Sequence, residues 1–410
     1  MRNLVNKRIC SICSCSDSKL IYNQHFSKMS IGGLLDGYDV VVCDNCGFCY
    51  ADNIPQQSDF DIYYRDMSKY EHPDRDNQTS SFDIARFRST LSALIKFIPR
   101  SESRILEIGC STGELLSLLK DNGFENVAGI DPSPACAETA RRLYGIRVIS
   151  SSLFVPVVDE SSIDVVVMVG VLEHVRELKT ALKLSRDMLK EDGLVYIEVP
   201  DASHYVKGED APFQEFSLEH INFFGPVSLR NLLISNGFAQ VHLERSMVEA
   251  NYRTSTPAIR AIFRKDNTGM PSAIKPDLQT KVGLRLYVDK SNQEDKQIRD
   301  AIANIVTVGR SIIVWGTGAH TLRLLATSKL GEAKIIAFVD SNPKYQGKKL
   351  NGLPIVAPQA IKDWSDPILI SSRVYQEEIA GQIMNELHLE NEIIRLYDFG
   401  RGSIPNKENC

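Results

Sequence analysis

Residues 104–120 read RILEIGCSTGELLSLLK, and this stretch decides the fold. RILEIG, residues 104–109, predicts a short strand. Gly109 and Gly113 then bracket a tight turn that opens a helix. The same unit repeats outward from about residue 80. NVAGIDPSP is a strand ending at Asp131, followed by a helix over 135–144 and by IRVISSSLF. SIDVVVMVGVLEHV, a helix over 177–190 and GLVYIEVP continue the series. Strand and amphipathic helix alternate throughout, which predicts an α/β fold with a doubly wound sheet.

The glycine loop is E-x-G-x-x-x-G, Glu107 to Gly113, where a dinucleotide site requires G-x-G-x-x-G. The spacing that brings backbone onto a pyrophosphate is absent, which argues against NAD. S-adenosylmethionine has no phosphate. It needs backbone close to its amino-acid moiety and a carboxylate to accept from the ribose hydroxyls, and Asp131 at the end of the second strand is placed for that. Taken in order, LEIGCSTG, GIDPS, SSSL (150–153), DVVVMVGVLEHV and GLVYIEVP resemble the motifs of class I S-adenosylmethionine-dependent methyltransferases over roughly residues 80–250. The resemblance implies a Rossmann-like core. It also implies cofactor contacts at Glu107, Gly109, Cys110, Gly113, Asp131, Pro132, Ser152, Leu153 and Gly170. For Cys110 the alternative is a small loop residue.

Six of the nine cysteines precede residue 50. Cys10/Cys13 and Cys43/Cys46 form two C-x-x-C knuckles, each able to bring two thiolates to one ion from a tight turn. Four sulfurs make a closed tetrahedral site, so zinc here is expected to staple a small domain rather than perform chemistry. The knuckles are 29 residues apart, and the insert is expected to be a loop or hairpin. Cys46/Cys49 is an alternative second knuckle; Gly47, able to take a positive φ, favours Cys43/Cys46. The stretch DFDIYYRDMSKYEHPDRDNQTSS predicts a connector with a short helix. Its Tyr63, Tyr64 and Tyr70 are read chiefly as packing residues, with ligand contact as the alternative.

EFSLEHINFF carries Glu219 and His220 beyond the fifth strand, at the sheet edge where doubly wound proteins bind ligands. Neutral imidazole, with an ordinary pKa of about 6.5, can accept a proton at physiological pH. His220 is therefore the candidate base, Glu219 its orienting partner and His174 a second candidate. The order of zinc knuckles, methyltransferase core, EH motif and further α/β domain is similar to the sugar C-methyltransferases acting on nucleotide-linked deoxy-ketosugars. That family's chemistry implies removal of a proton beside the ketone, then attack of the enolate carbon on the methyl sulfonium. The family's tyrosine three residues before the histidine is replaced by Ser217. Asn222, Ser217 or backbone amides are the candidate oxyanion donors. O- or N-methylation, or a nucleotide-sensing protein without turnover, are the alternatives.

Residues 254–282, with three prolines, read as irregular, and LRLYVDK (284–290) as a last sheet strand. A linking helix follows, with Ile298, Ile302, Ile305 and Val306 on one face. SIIVWG, GTGAHT and KIIAFVD then predict a second Rossmann-like unit. Gly316, Gly318 and Asp340 resemble a dinucleotide loop, but Thr321 replaces the third glycine. By the resemblance this unit holds nucleotide-sugar or serves as scaffold. The expected divisions are thus 1–76, 77–290 and 291–410. The 410 residues carry 47 Lys plus Arg against 52 acids, net −5. No basic excess draws the chain to nucleic acid or an anionic membrane. Without a visible signal peptide or spanning segment, it is expected in the cytoplasm, acting on a small molecule. Arg253, Arg323 and Lys344 are candidate anion contacts.

Overall fold

A computed structural model describes residues 7–29, 34–67, 81–251, 254–268 and 273–397. Tyr70, Arg253 and the tail after Arg401 lie outside them. The chain forms two compact units, Met1–His25 with Gly32–Ser291, and Phe26–Ile31 with Asn292–Cys410.

In the first unit, strands β1 (Ser18–His25), β2 (Gly37–Cys43) and β3 (Cys49–Asp52) precede helices α1 (Gln57–Met67) and α2 (Ser81–Leu94). The sheet series is β4 (Ile105–Ile108), α3 (Glu114–Asp121), β5 (Val127–Asp131), α4 (Pro134–Tyr144), β6 (Val148–Ser150), β7 (Ile163–Val169), α5 (Leu178–Met188) and β8 (Leu189–Pro200). Then come β9 (Asn222–Phe223), α6 (Pro226–Ile234), β10 (Phe238–Asn251), β11 (Thr254–Lys265) and the start of α7 (Leu278–Val308), whose residues from Asn292 on belong to the second unit. Seven strands pair in the order β6-β5-β4-β7-β8-β11-β10, parallel up to β8 and antiparallel beyond. Successive residues of β7 serve opposite faces. Val166 and Met168 pack with α5 and α6, and Val165 and Val167 with α2 and α3. Such two-sided burial is why the run is continuously apolar.

β1, β2, β3 and β9 make a second, antiparallel sheet. The insert between the knuckles contains the β1–β2 hairpin pairing. The cysteine-bearing segment shares one hydrophobic core with the large sheet, in which Cys10, Ile12 and Phe48 lie with Ile108 and Phe224.

Two stretches differ from the sequence expectation. Residues 254–265 are the strand β11 and not irregular. Pro257 is tolerated because pairing with β8 starts one residue later, at Ala258, so no ladder bond on that side needs its missing N–H. Residues 284–290 are helical and not a strand, lying inside the 31-residue α7.

The second unit orders β12 (Ile312–Trp315), α8 (Ala319–Thr327), β13 (Ile335–Val339), β14 (Lys349–Leu350), β15 (Leu353–Val356), β16 (Ile368–Ile370), α9 (Gln376–Gly381) and β17 (Ile393–Arg395). Its sheet runs β14-β15-β13-β12-β16-β17. Among the described residues no helix is long and apolar enough to cross a membrane.

Candidate active site and cysteine cluster

The chain leaves β4 through β5 to β6 and crosses back to β7, so β4 and β7 flank the point where doubly wound sheets bind ligands. Gly109 follows β4 at φ 71°, and a Cβ there would stand 2.8 Å from Val171 Cγ2. The tight cradle thus requires glycine. Gly113 caps α3 and Gly170 follows β7, both also at positive φ. Asp131 ties the loops together, accepting from Ser111 N and Ser133 N at 2.9 Å each. Pro132 stands half-buried between those contacts. The Asp131 carbonyl accepts from Ser151 N at 3.0 Å, which sets the start of the Ser152–Leu153 turn. Ser152 Oγ accepts from Phe154 N, and Leu153 is buried. Cys110 turns inward, where its sulfur occupies the place a Cβ on Gly129 would take.

Glu107 is buried, and its Oε2 has no hydrogen-bond partner. Burial, then repulsion from Glu114 and Asp131, pushes its carboxyl up to about 8. An unsatisfied buried carboxyl beside a second one suits a ligand bearing cationic and hydroxyl groups. S-adenosylmethionine has both, and these residues fit it.

The candidate acceptor side collects residues from three stretches. His174 ends the short turn Leu172–His174 after β7. Its Nδ1 lies 3.1 Å from the Glu219 carbonyl and 3.0 Å from the Tyr64 hydroxyl. A carbonyl only accepts, so Nδ1 carries the proton and Nε2 the lone pair. Tyr64 then accepts from Nδ1 and donates elsewhere. The Tyr63 hydroxyl donates to Glu219 Oε1 at 3.0 Å. His220 meets His174 edge to face, ring centroids 5.0 Å apart. Its Nδ1 lies 3.8 Å from Glu215 Oε2, and His174 Nε2 lies 3.9 Å from Glu173 Oε1. Glu173 and Glu215 are buried, and burial first of all drives each carboxyl up to about 8. Sequence reasoning gave neither glutamate a role, and it weighted Tyr63 and Tyr64 toward packing. Glu173 adjoins His174 in LEHV, but its depth has no sequence signal.

Asn222 is not an oxyanion donor. Its amide hydrogens go to Leu172 O and Val175 O at 2.8 and 2.7 Å, and its oxygen accepts from buried Arg8. Ser217 Oγ accepts from the backbone of Glu219 and His220 at 3.2 and 3.1 Å, which shapes the loop that carries both.

Sulfurs of Cys10, Cys13, Cys43 and Cys46 all lie within 4.8 Å of one another. The Cys10–Cys46 and Cys13–Cys43 separations are 3.5 Å. A tetrahedron of Zn–S bonds of about 2.3 Å has edges of about 3.8 Å, so the four thiols fit zinc. Cys49 stays outside the group, its thiol aimed at Gly47 O. Gly47 takes φ 77°, and a Cβ there would meet Asp277 O at 2.2 Å.

In the second unit, Asp340 holds the GTGAHT loop as Asp131 holds its own. It accepts from Thr317 N at 3.0 Å and Asn342 N at 2.8 Å. Thr321 Oγ1 donates to Gly316 O at 2.8 Å and lies 2.9 Å from Ser371 Oγ. Arg323 is not available to an anion, being buried and paired with Asp295. Lys344 lies in the turn after Asp340, where its N–H donates to Asn342.

Residues 80–243 match the family described as Methyltransferase domain, and residues 308–394 the family C2185-like, N-terminal. C-methyltransferase NovU of Streptomyces niveus is 23% identical over 390 residues, 92% of this chain and 88% of that protein. A Mycobacterium tuberculosis protein named Probable S-adenosylmethionine-dependent methyltransferase Rv3030 is 26% identical over 147 residues, 36% of this chain and 53% of that protein. A solved methyltransferase from Mesorhizobium loti aligns at 15% identity and TM-score 0.37, over 45% of this chain and all of that one. The chain carries a class I S-adenosylmethionine-dependent methyltransferase domain and is a methyltransferase dependent on that cofactor.

Proposed function

We propose that this enzyme methylates a carbon beside the carbonyl of a nucleotide-linked ketosugar, with His220 as general base. Similarity to a C-methyltransferase along 92% of the chain carries the choice of carbon. The His174, His220 and Tyr64 arrangement supports it, because carbon acceptors need both a base and an oxyanion donor. Bound S-adenosylmethionine supplies an electrophilic methyl group on a sulfonium.

His220 takes the proton beside the carbonyl, and the C–H electrons become an enolate whose carbon forms the new C–C bond. When bound, the cofactor would give up that methyl group and keep the bonding pair on its sulfur. Tyr64, its oxygen already accepting from His174, is the donor we assign to the enolate oxygen, in the role left open by Ser217. Glu219 holds Tyr63 beside it. In this reading Cys10, Cys13, Cys43 and Cys46 hold a structural zinc.

The test is incubation with S-adenosylmethionine and nucleotide ketosugars deuterated beside the carbonyl, followed by mass spectrometry. Methyl gain with loss of one deuterium is expected. Gain with full deuterium retention points to oxygen or nitrogen and overturns carbon, and no gain with any sugar removes the substrate class. Metal analysis is expected to find close to one zinc per chain; a small fraction of that would remove the zinc.

A further inference from the structure

His220 has two carboxylates nearby in sequence, and their side chains go to different partners. Glu219, its neighbour, accepts from Tyr63 and so faces α1. Glu215 brings Oε2 to 3.8 Å from His220 Nδ1. Glu215 is 7% exposed, so bulk water does not screen the pair. The two residues are anchored separately. Glu215 N–H donates to the Tyr287 hydroxyl at 3.0 Å, and a side-chain bond to Thr256 engages its carboxyl. His220 N–H donates to Ser217 Oγ.

A histidine acts as base through the nitrogen that lacks a proton. Neutral imidazole divides between two tautomers, and a carboxylate at one nitrogen selects the form with the proton on that side. It also stabilises the imidazolium that forms when the other nitrogen accepts. We infer that Glu215, and not Glu219, is the positioning residue that holds His220 with its proton on Nδ1 and its Nε2 lone pair toward the substrate. The assignment rests on His220 being the base. A separation of 3.8 Å is that of an ion pair, and such contacts commonly shorten once substrate is bound. Burial and repulsion from Asp210 push the Glu215 carboxyl up to about 8, so the carboxylate that selects the tautomer is the form present above that pH, and the tautomer is read at pH 9.

The experiment uses the full-length protein with ¹⁵N-labelled histidine, the His220 signal being assigned by its loss in His220→Ala. Long-range ¹H–¹⁵N correlation reads the tautomer directly. Wild type is expected as the Nδ1–H form, Glu215→Gln as the Nε2–H form, and Glu219→Gln as wild type in tautomer. With an accepted substrate, Glu215→Gln is expected to lower kcat by roughly 10²-fold or more. KM and cofactor affinity should stay within about twofold, and Glu215→Asp should recover part of the loss. An Nε2–H wild type, a tautomer unchanged in Glu215→Gln, or one that follows Glu219 instead overturns the assignment. The tautomer is read without turnover, so failure to find a substrate would remove the proposed function and leave this test intact.

Discussion

Three buried carboxyls, Glu107, Glu173 and Glu215, are each displaced from an ordinary 4.5 to about 8, chiefly by burial. In the unfolded chain they release protons near pH 4.5, and in the fold only near 8. Between those values the native state binds more protons. The stability each contributes is therefore whole below about pH 4.5 and is lost as pH rises through about 8, at up to about 1.4 kcal/mol per unit. Glu173 is the cleanest case, because its Oε2 has no hydrogen-bond partner and, unlike Glu107, it lies outside the Glu107–Gly113 loop. Replacing it with glutamine keeps the shape and removes the charge. We expect Glu173→Gln to match wild type within about 0.5 kcal/mol at pH 5 and to exceed it by about 2 kcal/mol at pH 8 in urea unfolding without cofactor. A mutant-minus-wild-type difference that stays flat with pH would contradict this.

Among the elements, β8 and β11 carry the antiparallel extension of the sheet, and one carboxylate fastens it. Glu198 Oε2 accepts from Arg260 Nε and the Tyr196 hydroxyl at 2.9 Å each and from Thr90 Oγ1 at 3.0 Å, joining β8, β11 and α2. Both members of the ion pair are buried. Removing one charge strands the other, at a cost of about 3 kcal/mol, whereas removing both costs much less. Arg260→Met is thus expected to lower the urea midpoint strongly, and Arg260→Met with Glu198→Gln to recover most of it. Equal loss in single and double variants would reject the pairing as the cause. The same region shows where sequence patterns lose force. β4, β5 and β7 are covered on both faces, so their apolar runs announce them. β11 carries Pro257 near its start and was hidden by it. In α7 the buried positions Leu284, Tyr287, Ser291, Asp295, Ile298 and Ile302 keep helical spacing. Ser291 and Asp295 interrupt the apolar stripe, so the short window LRLYVDK looks alternating instead.

At the scale of the whole molecule, His174 and the loop glycines were legible because each follows a strand the pattern reveals, and His220 was legible through the EH pair placed beyond the fifth strand. The side chains that complete the site were not, because Tyr63 and Glu219 are 156 residues apart and only long-range pairing joins them. That pairing passes through the cysteine segment of the first unit. The knuckle at Cys43 and Cys46 ends β2 and precedes β3, β3 pairs with β9 through Cys49↔Phe223, and β9 begins two residues after His220. Ala51 N–H donates to Ile221 O at 2.9 Å, and Arg8 bonds both Ala51 O and Ile221 O. α1, which follows β3, brings in Tyr63 and Tyr64. The candidate cofactor loop instead hangs from β4, β5 and β7, with its bonds inside the parallel sheet. Disordering the cysteine cluster should therefore separate catalysis from cofactor binding. A strong zinc chelator, or Cys43→Ser, is expected to lower kcat at least tenfold, since displacements near 1 Å already cost about 10²-fold. Cofactor affinity by calorimetry should stay within about threefold. Parallel collapse of both would mean that the cluster holds the sheet itself, and no change in either would mean that β3 and β9 keep His220 in place without the metal.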